Sequence, residues 1–187
     1  MRVWKLLSIL PSRGSILKNI DVLSKRAAAI WKPPPNAHYK MNFDGASRGN
    51  PGLAGVGMVI FDHHANIVQA RCHAIGHQSN NFTKFNALSL GLDMAISLSI
   101  KDLVIEGDSM VTIQCVMKKK SNCWKLQYVL ELILQQLAFF DSFLITHCFR
   151  EINIIADFLA NLAIDINANL WDINMEEIPP SLLKHLH

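Results

Sequence analysis

Residues 40–75 hold three strand-like runs separated by two stretches of turn residues, and this arrangement leaves few folds open. In the first run, over 40–47, Met41 and Phe43 fall on one face and Asn42 and Asp44 on the other. That is the period-two pattern of a half-buried strand, expected to stop at Gly45 with Asp44 at its end. Arg48-Gly49-Asn50-Pro51-Gly52 is dense turn punctuation. The second run, 54–62, carries Val56, Met58 and Ile60 and reads as a buried strand. Asp62-His63-His64-Ala65-Asn66 supplies the next turn, and 67–75 reads as a third strand. Links this short join antiparallel neighbours, because a parallel pair needs a long crossover. An antiparallel meander follows.

Downstream the period changes. Ser79-Asn80-Asn81 offers helix caps, and Phe85, Leu88, Leu92 and Ala95 recur at helical spacing, so a helix is predicted over 81–98. Leu103-Val104-Ile105 is a short strand that ends at Glu106-Gly107-Asp108-Ser109. Helices are predicted over 109–117 and 126–140, a strand over 143–149, and a last helix over 153–167 that buries Ile155, Phe158, Leu159, Leu162 and Ile166. The tail, with Trp171 and Pro179-Pro180, reads as irregular. The order β-β-β-α-β-α-α-β-α predicts an α/β domain. Its mixed five-stranded sheet, a three-stranded antiparallel meander plus two further strands, is flanked by helices.

Ahead of this pattern stands Trp31-Lys32-Pro33-Pro34-Pro35, whose prolines cannot continue a helix and favour extended polyproline geometry. The domain is therefore expected over 31–187. Residues 1–30 form an extension, partly helical or irregular, with an amphipathic helix over 15–30 showing Ile16, Ile20, Leu23 and Ala27 on one side. Lys5, Ser8 and Pro11 interrupt the apolar start, so a secretory signal is not expected there. No run reaches the roughly 18–20 apolar residues of a membrane span, and no membrane partner is expected. Half the residues are apolar and 18% are charged, which argues for a filled core rather than disorder. Cys72, Cys115, Cys123 and Cys148 form no Cys-x-x-Cys pair. They read as reduced, mostly packed thiols, which favours an intracellular setting, nucleus or cytoplasm, over a zinc site or a disulfide framework. The net charge of +3 permits a nucleic-acid partner without demanding one. A monomer is expected.

Three acids stand where strand and helix ends converge: Asp44, Asp108 just past the fourth strand, and Asp157 in the first turns of the last helix. Each has an ordinary explanation alone: turn chemistry, a helix cap, and a favourable helix dipole. Gathered together they would repel one another unless they shared a divalent cation. Magnesium suits such a site, since it takes hard oxygen ligands and keeps waters and phosphates as the remainder. A pair of such ions activates a water and stabilises the leaving oxygen of a phosphodiester.

The longer motifs carry a resemblance. Trp31-Lys32-Pro33-Pro34-Pro35, the run from Lys40 through Asp44-Gly45-Ala46-Ser47 to Gly52, and Ala54-Gly55-Val56-Gly57 resemble the plant-type ribonuclease H-like domain of retroelement-derived proteins. Glu106-Gly107-Asp108-Ser109 and the stretch from His147 through Arg150-Glu151-Ile152-Asn153 to Asp157 extend the match to about 31–187. The resemblance implies that Asp44, Asp108 and Asp157 are three of the family's four metal-binding catalytic carboxylates. It also implies Mg2+ or Mn2+ as cofactor, and hydrolysis of the RNA strand of an RNA–DNA hybrid selected by groove shape and 2′-hydroxyls. Ser47, Asn50, His147, Arg150 and Asn153 become candidate substrate or site contacts. His147 also reads as a packed histidine, and Arg150 as a phosphate contact or a partner of Glu151 or another acid. Lys118-Lys119-Lys120 with Trp124 resembles a nucleic-acid patch, or is a solvated helix end.

The fourth carboxylate is missing. The family places a Glu in the pattern Asn-x-x-Ala-Glu-x-x-Ala-Leu, and here Asn81-Phe82-Thr83-Lys84-Phe85-Asn86-Ala87-Leu88 puts Lys84 in its place. A protonated lysine cannot ligate a metal. Lys84 is expected to pair with Asp44 or Asp108, to hold a phosphate, or to snorkel to solvent. In each case metal affinity falls and cleavage of the hybrid is impaired. The alternative is a non-catalytic nucleic-acid-binding or scaffold module derived from a retroelement.

Overall fold

Strand β1 (Tyr39–Gly49) lies at the centre of the sheet, pairing antiparallel with β2 (Gly52–Phe61) on one side and parallel with β4 (Asp102–Gly107) on the other. The order across the sheet is β5-β4-β1-β2-β3-β6, with β3 at Ile67–Gln78, β5 at Ser142–His147 and β6 at Trp171–Asp172. This computed structural model describes residues 30–169 and 171–186. The chain divides into two units, Met1–Ile30 and Trp31–His187. The signal-like start over 1–11 lies outside the described residues, as does the helix expected over 15–30 except for Ile30.

The meander and the α/β class are as the periodicity predicts, with two corrections. The sheet has six strands, not five, because Trp171–Asp172 pairs with Arg71 and Cys72 at the edge of β3. Asp172 also accepts hydrogen bonds from Arg71 Nε and Gln69 Nε2. A two-residue strand has no period to read, so the tail looked irregular. Second, β1 does not stop at Gly45. Its parallel partner ends with the pair Phe43–Gly107, but the antiparallel ladder with β2 continues from Asp44–Gly57 to Gly49–Gly52. Asp44 therefore sits inside β1, where the strand loses one of its two neighbours.

Helix α1 (Asn80–Ser97) is capped by Ser79, whose side chain accepts from Phe82 N. Helix α2 (Met110–Lys118) is capped in the same way by Ser109, which accepts from Thr112 N. Helix α3 (Trp124–Leu137) and helix α4 (Ile154–Ile166) complete the layers, and a short α5 (Pro180–Leu183) lies in the tail. Met41, Phe43, Met58 and Ile105 pack on one face of the sheet against Phe85, Leu88 and Leu92 of α1 and Leu130 and Ile133 of α3. On the other face, Trp31, Val59, Phe61 and Cys72 meet Ile155, Leu159 and Ala163 of α4 and Ile173 and Ile178 of the tail. Cys123 is exposed rather than packed. Phe143 is 46% exposed on the edge strand β5. No described helix is long and apolar enough to cross a membrane.

Candidate active site

Two glycines bring two helices onto the β1–β2 pair around Asp44. A Cβ on Gly45 would lie 2.6 Å from the Thr83 carbonyl carbon and 2.7 Å from Lys84 N, so the first turns of α1 rest directly on β1. A Cβ on Gly57, which faces Asp44 in the ladder, would lie 2.4 Å from Ala156 O and Ala160 N. Helix α4 therefore rests on β2 with equal closeness. Asn153 fixes where α4 begins. Its amide nitrogen donates to Phe43 O at 3.0 Å and its oxygen accepts from Asn42 Nδ2 at 3.2 Å. Asp157, one turn later, is thereby set beside Asp44, and Asp108 follows directly on the end of β4.

Asp44, Asp108 and Asp157 line one open cleft of about 320 Å³ together with Ser47, Lys84 and Arg150. The centre of that cleft is an ion-pair network. Lys84 Nζ donates to Asp44 Oδ1 and, at 2.6 Å, to Asp108 Oδ1. Of the destinations open to Lys84 from sequence, the structure shows pairing, and with both acids. The Lys84 side chain is 19% exposed and that of Asp44 only 3%. Asp44 Oδ1 also accepts from Gly45 N at 2.7 Å.

The two ends of this bridge respond differently to burial. For Asp44, burial outweighs the attraction of the Lys84 ammonium and the neighbouring Asp108 adds to it, so its carboxyl is pushed up to about 7. For Lys84, burial disfavours the charge, but Asp44 and Asp108 together outweigh it and hold the amine above its ordinary value. One ammonium between two carboxylates stays protonated. The net rise at Asp44 comes first from its own burial, which the Lys84 charge only partly offsets.

The other predicted residues fall around this centre. Arg150 Nη2 donates to Asp157 Oδ1 at 2.6 Å, a pair whose arginine side chain is 70% exposed and which is therefore weak. His147 Nε2 lies 3.1 Å from Asp108 O, with its ring edge-on to Phe149. Ser47 Oγ lies 2.6 Å from Gly49 O and 2.8 Å from Gln78 O, within donating distance of both carbonyls. Asn50 Oδ1 accepts from Asn80 N at 3.1 Å, tying the β1–β2 turn to the start of α1. Asn153 is buried and both ends of its amide are engaged, so it positions the site from beneath. Trp124, 78% exposed, opens α3 a few residues after the Lys118-Lys119-Lys120 run that closes α2. Sequence reasoning missed Asn80 and Asn161, which also line the cleft. Asn161 Nδ2 donates to Asp157 O at 2.8 Å, and its only signal was the one-turn spacing from Asp157.

A divalent cation does not fit this donor set as it stands. Among the described residues no three His, Cys, Asp or Glu side chains are grouped to hold a metal ion. Asp44 and Asp108 both turn an oxygen to an ammonium that is itself unable to ligate.

The central mixed sheet, the helices on its two faces and the acids at β1, β4 and α4 define a ribonuclease H-like domain. The family model described as "Reverse transcriptase-like" matches residues 42–163, and the chain belongs to this ribonuclease H-like family. Ribonuclease HI of Halobacterium salinarum is 35% identical over 142 residues, 73% of this chain and 69% of that protein. A crystal structure of RNase H1 from the same archaeon superposes with a TM-score of 0.67 at 35% identity, covering 69% of this chain and 98% of that one. LC11-RNase H1, isolated from compost and crystallised in complex with RNA/DNA hybrid, is 28% identical with a TM-score of 0.64, covering 69% of this chain and 98% of that one. A putative ribonuclease H protein of Arabidopsis thaliana is 28% identical over 162 residues, 87% of this chain and 26% of that protein.

Proposed function

We propose that this is a ribonuclease H-type nucleic-acid-binding domain of the plant-type, retroelement-derived branch, which takes an RNA–DNA hybrid and whose metal-dependent hydrolysis is impaired. The observation that carries this reading is the Lys84 ammonium bonded to both Asp44 and Asp108. A magnesium ion in that place would meet a like charge. Two unit charges about 4 Å apart near a protein surface repel by on the order of 4 kcal/mol, and a doubly charged ion by about twice that. The ion would also compete for carboxylate oxygens already engaged. Support for the ligand comes from LC11-RNase H1, which shares this fold at 28% identity in a complex with a hybrid. Support from this chain comes from the exposed Arg150 at the cleft and the basic run followed by exposed Trp124. Such groups hold phosphates and stack on bases without a metal.

The reading is tested with purified protein and a labelled hybrid. Binding is expected to be the same in chelator and in magnesium, and to weaken steeply as salt rises. Cleavage is expected to be absent or feeble even at high protein concentration. Binding that needed magnesium, no binding at all, or brisk cleavage abolished by Asp44→Asn would each overturn it.

A further inference from the structure

A buried acid facing a half-buried one needs a positive charge between them, and this fold supplies one from its own chain. Asp44 is 3% exposed and the Asp108 side chain 14%. Leaving such carboxylates without a partner is strongly unfavourable. Arg150, the other cation lining the cleft, is bonded to Asp157 and stands mostly in solvent. Lys40 is engaged with Glu106. That leaves Lys84 as the cation shared by Asp44 and Asp108.

The lysine is also held in position. Its own backbone is pressed on β1 at Gly45. The preceding Thr83 is fully buried and its hydroxyl donates to Ser79 O at 2.9 Å. The root of the side chain is thus fixed, and only its stem must be ordered to reach the two acids. This lowers the entropic cost of the bridge.

We infer that the Lys84 ammonium is a built-in counter-ion that takes the structural place of a divalent cation, so that the stability of the domain is independent of metal and becomes metal-dependent when the lysine charge is removed. The inference rests on the Lys84 bridge and not on hybrid binding. Its experiment contains no nucleic acid, so the two can fail separately.

The test is thermal unfolding of the full chain, of Lys84→Gln and of Lys84→Arg, each in EDTA and in millimolar MgCl2 or MnCl2. The unaltered chain and Lys84→Arg are expected to melt within about 1 °C of the same temperature with and without divalent cation. Lys84→Gln is expected to melt at least about 5 °C lower in EDTA and to recover half or more of that loss when either cation is added. Adding Asp44→Asn to Lys84→Gln should abolish the recovery, which a merely structural role for the lysine would not require. If Lys84→Gln is unfolded in EDTA, the same comparison is read as folded signal regained on adding MnCl2. A cation-induced rise in the unaltered chain equal to that in Lys84→Gln overturns the inference. So does a Lys84→Gln variant that is unaffected by both EDTA and cation, or that stays unfolded in both.

Discussion

Replacing Gly57 with Ala drives a methyl group into helix α4. The new carbon would lie 2.4 Å from Ala156 O, 2.4 Å from Ala160 N and 2.6 Å from Leu159 Cβ, where ordinary contact begins at 3.4 Å. Backbone atoms of a packed helix do not swing aside as a flexible side chain does, so α4 must retreat by about 1 Å. Overpacking of this kind costs about 1–3 kcal/mol. For a chain of this size each kcal/mol lowers the melting temperature by about 2–4 °C, so a fall of about 2–12 °C is expected by circular dichroism. The retreat should also pull Asn153 off Phe43 O and open the protection of the backbone amides around β1, read by hydrogen exchange. Leu53→Ala, at a side of β2 where Leu53 is 52% exposed, is the control and should shift the melt by little. A Gly57→Ala melt within 1 °C of the unaltered chain would refute the argument that α4 is seated by that glycine.

Lys40 and Glu106 are bonded at 2.7 Å with side chains 7% and 15% exposed, and Lys40 also donates to Lys32 O. Lys40→Met should therefore cost about 3–5 kcal/mol by urea unfolding, while Lys40→Met with Glu106→Leu should recover most of it; equal losses in single and double variants would contradict this. Burial pushes the Cys72 thiol up to about 11 and the Cys148 thiol up to about 12, whereas Cys123 is exposed. Iodoacetamide at neutral pH should label Cys123 first and reach Cys72 and Cys148 only on unfolding, with uniform labelling as the contrary result.

The parts of this fold that could be read from sequence are those with a repeating pattern. The meander showed itself by alternation and close turns, α1 by an apolar period behind the Ser79-Asn80-Asn81 caps, and α4 by its apolar period alone. The register partner of Asp44, and hence the true length of β1, depends on how far β2 follows it beyond Gly107, which no local pattern records. Strand β6 and helix α5 are too short to carry a period. At the site, the substitution of Lys84 was plain in the sequence but its destination was not. Whether that side chain meets solvent or Asp44 is decided by the close approach of α1 at Gly45, a tertiary contact. Asn153 reads from its motif as a candidate substrate or site contact, and the structure buries it beneath the site. Nor could sequence show that Trp31 reaches over to donate from its indole to Asn42 Oδ1, while Asn42 Nδ2 donates to both Glu106 and Asn153 and so joins the Lys40–Glu106 pair to Asn153.

The central claim is that one residue closes the metal site of an otherwise intact ribonuclease H-like domain. The most direct measurement is magnesium-dependent cleavage of a labelled RNA–DNA hybrid by the unaltered chain and by Lys84→Glu, side by side at equal concentration. The account predicts little or no cleavage by the first and clear gain by the second, lost again when Asp44→Asn is added. Efficient cleavage by the unaltered chain would contradict it, as would a folded, hybrid-binding Lys84→Glu variant that gains nothing.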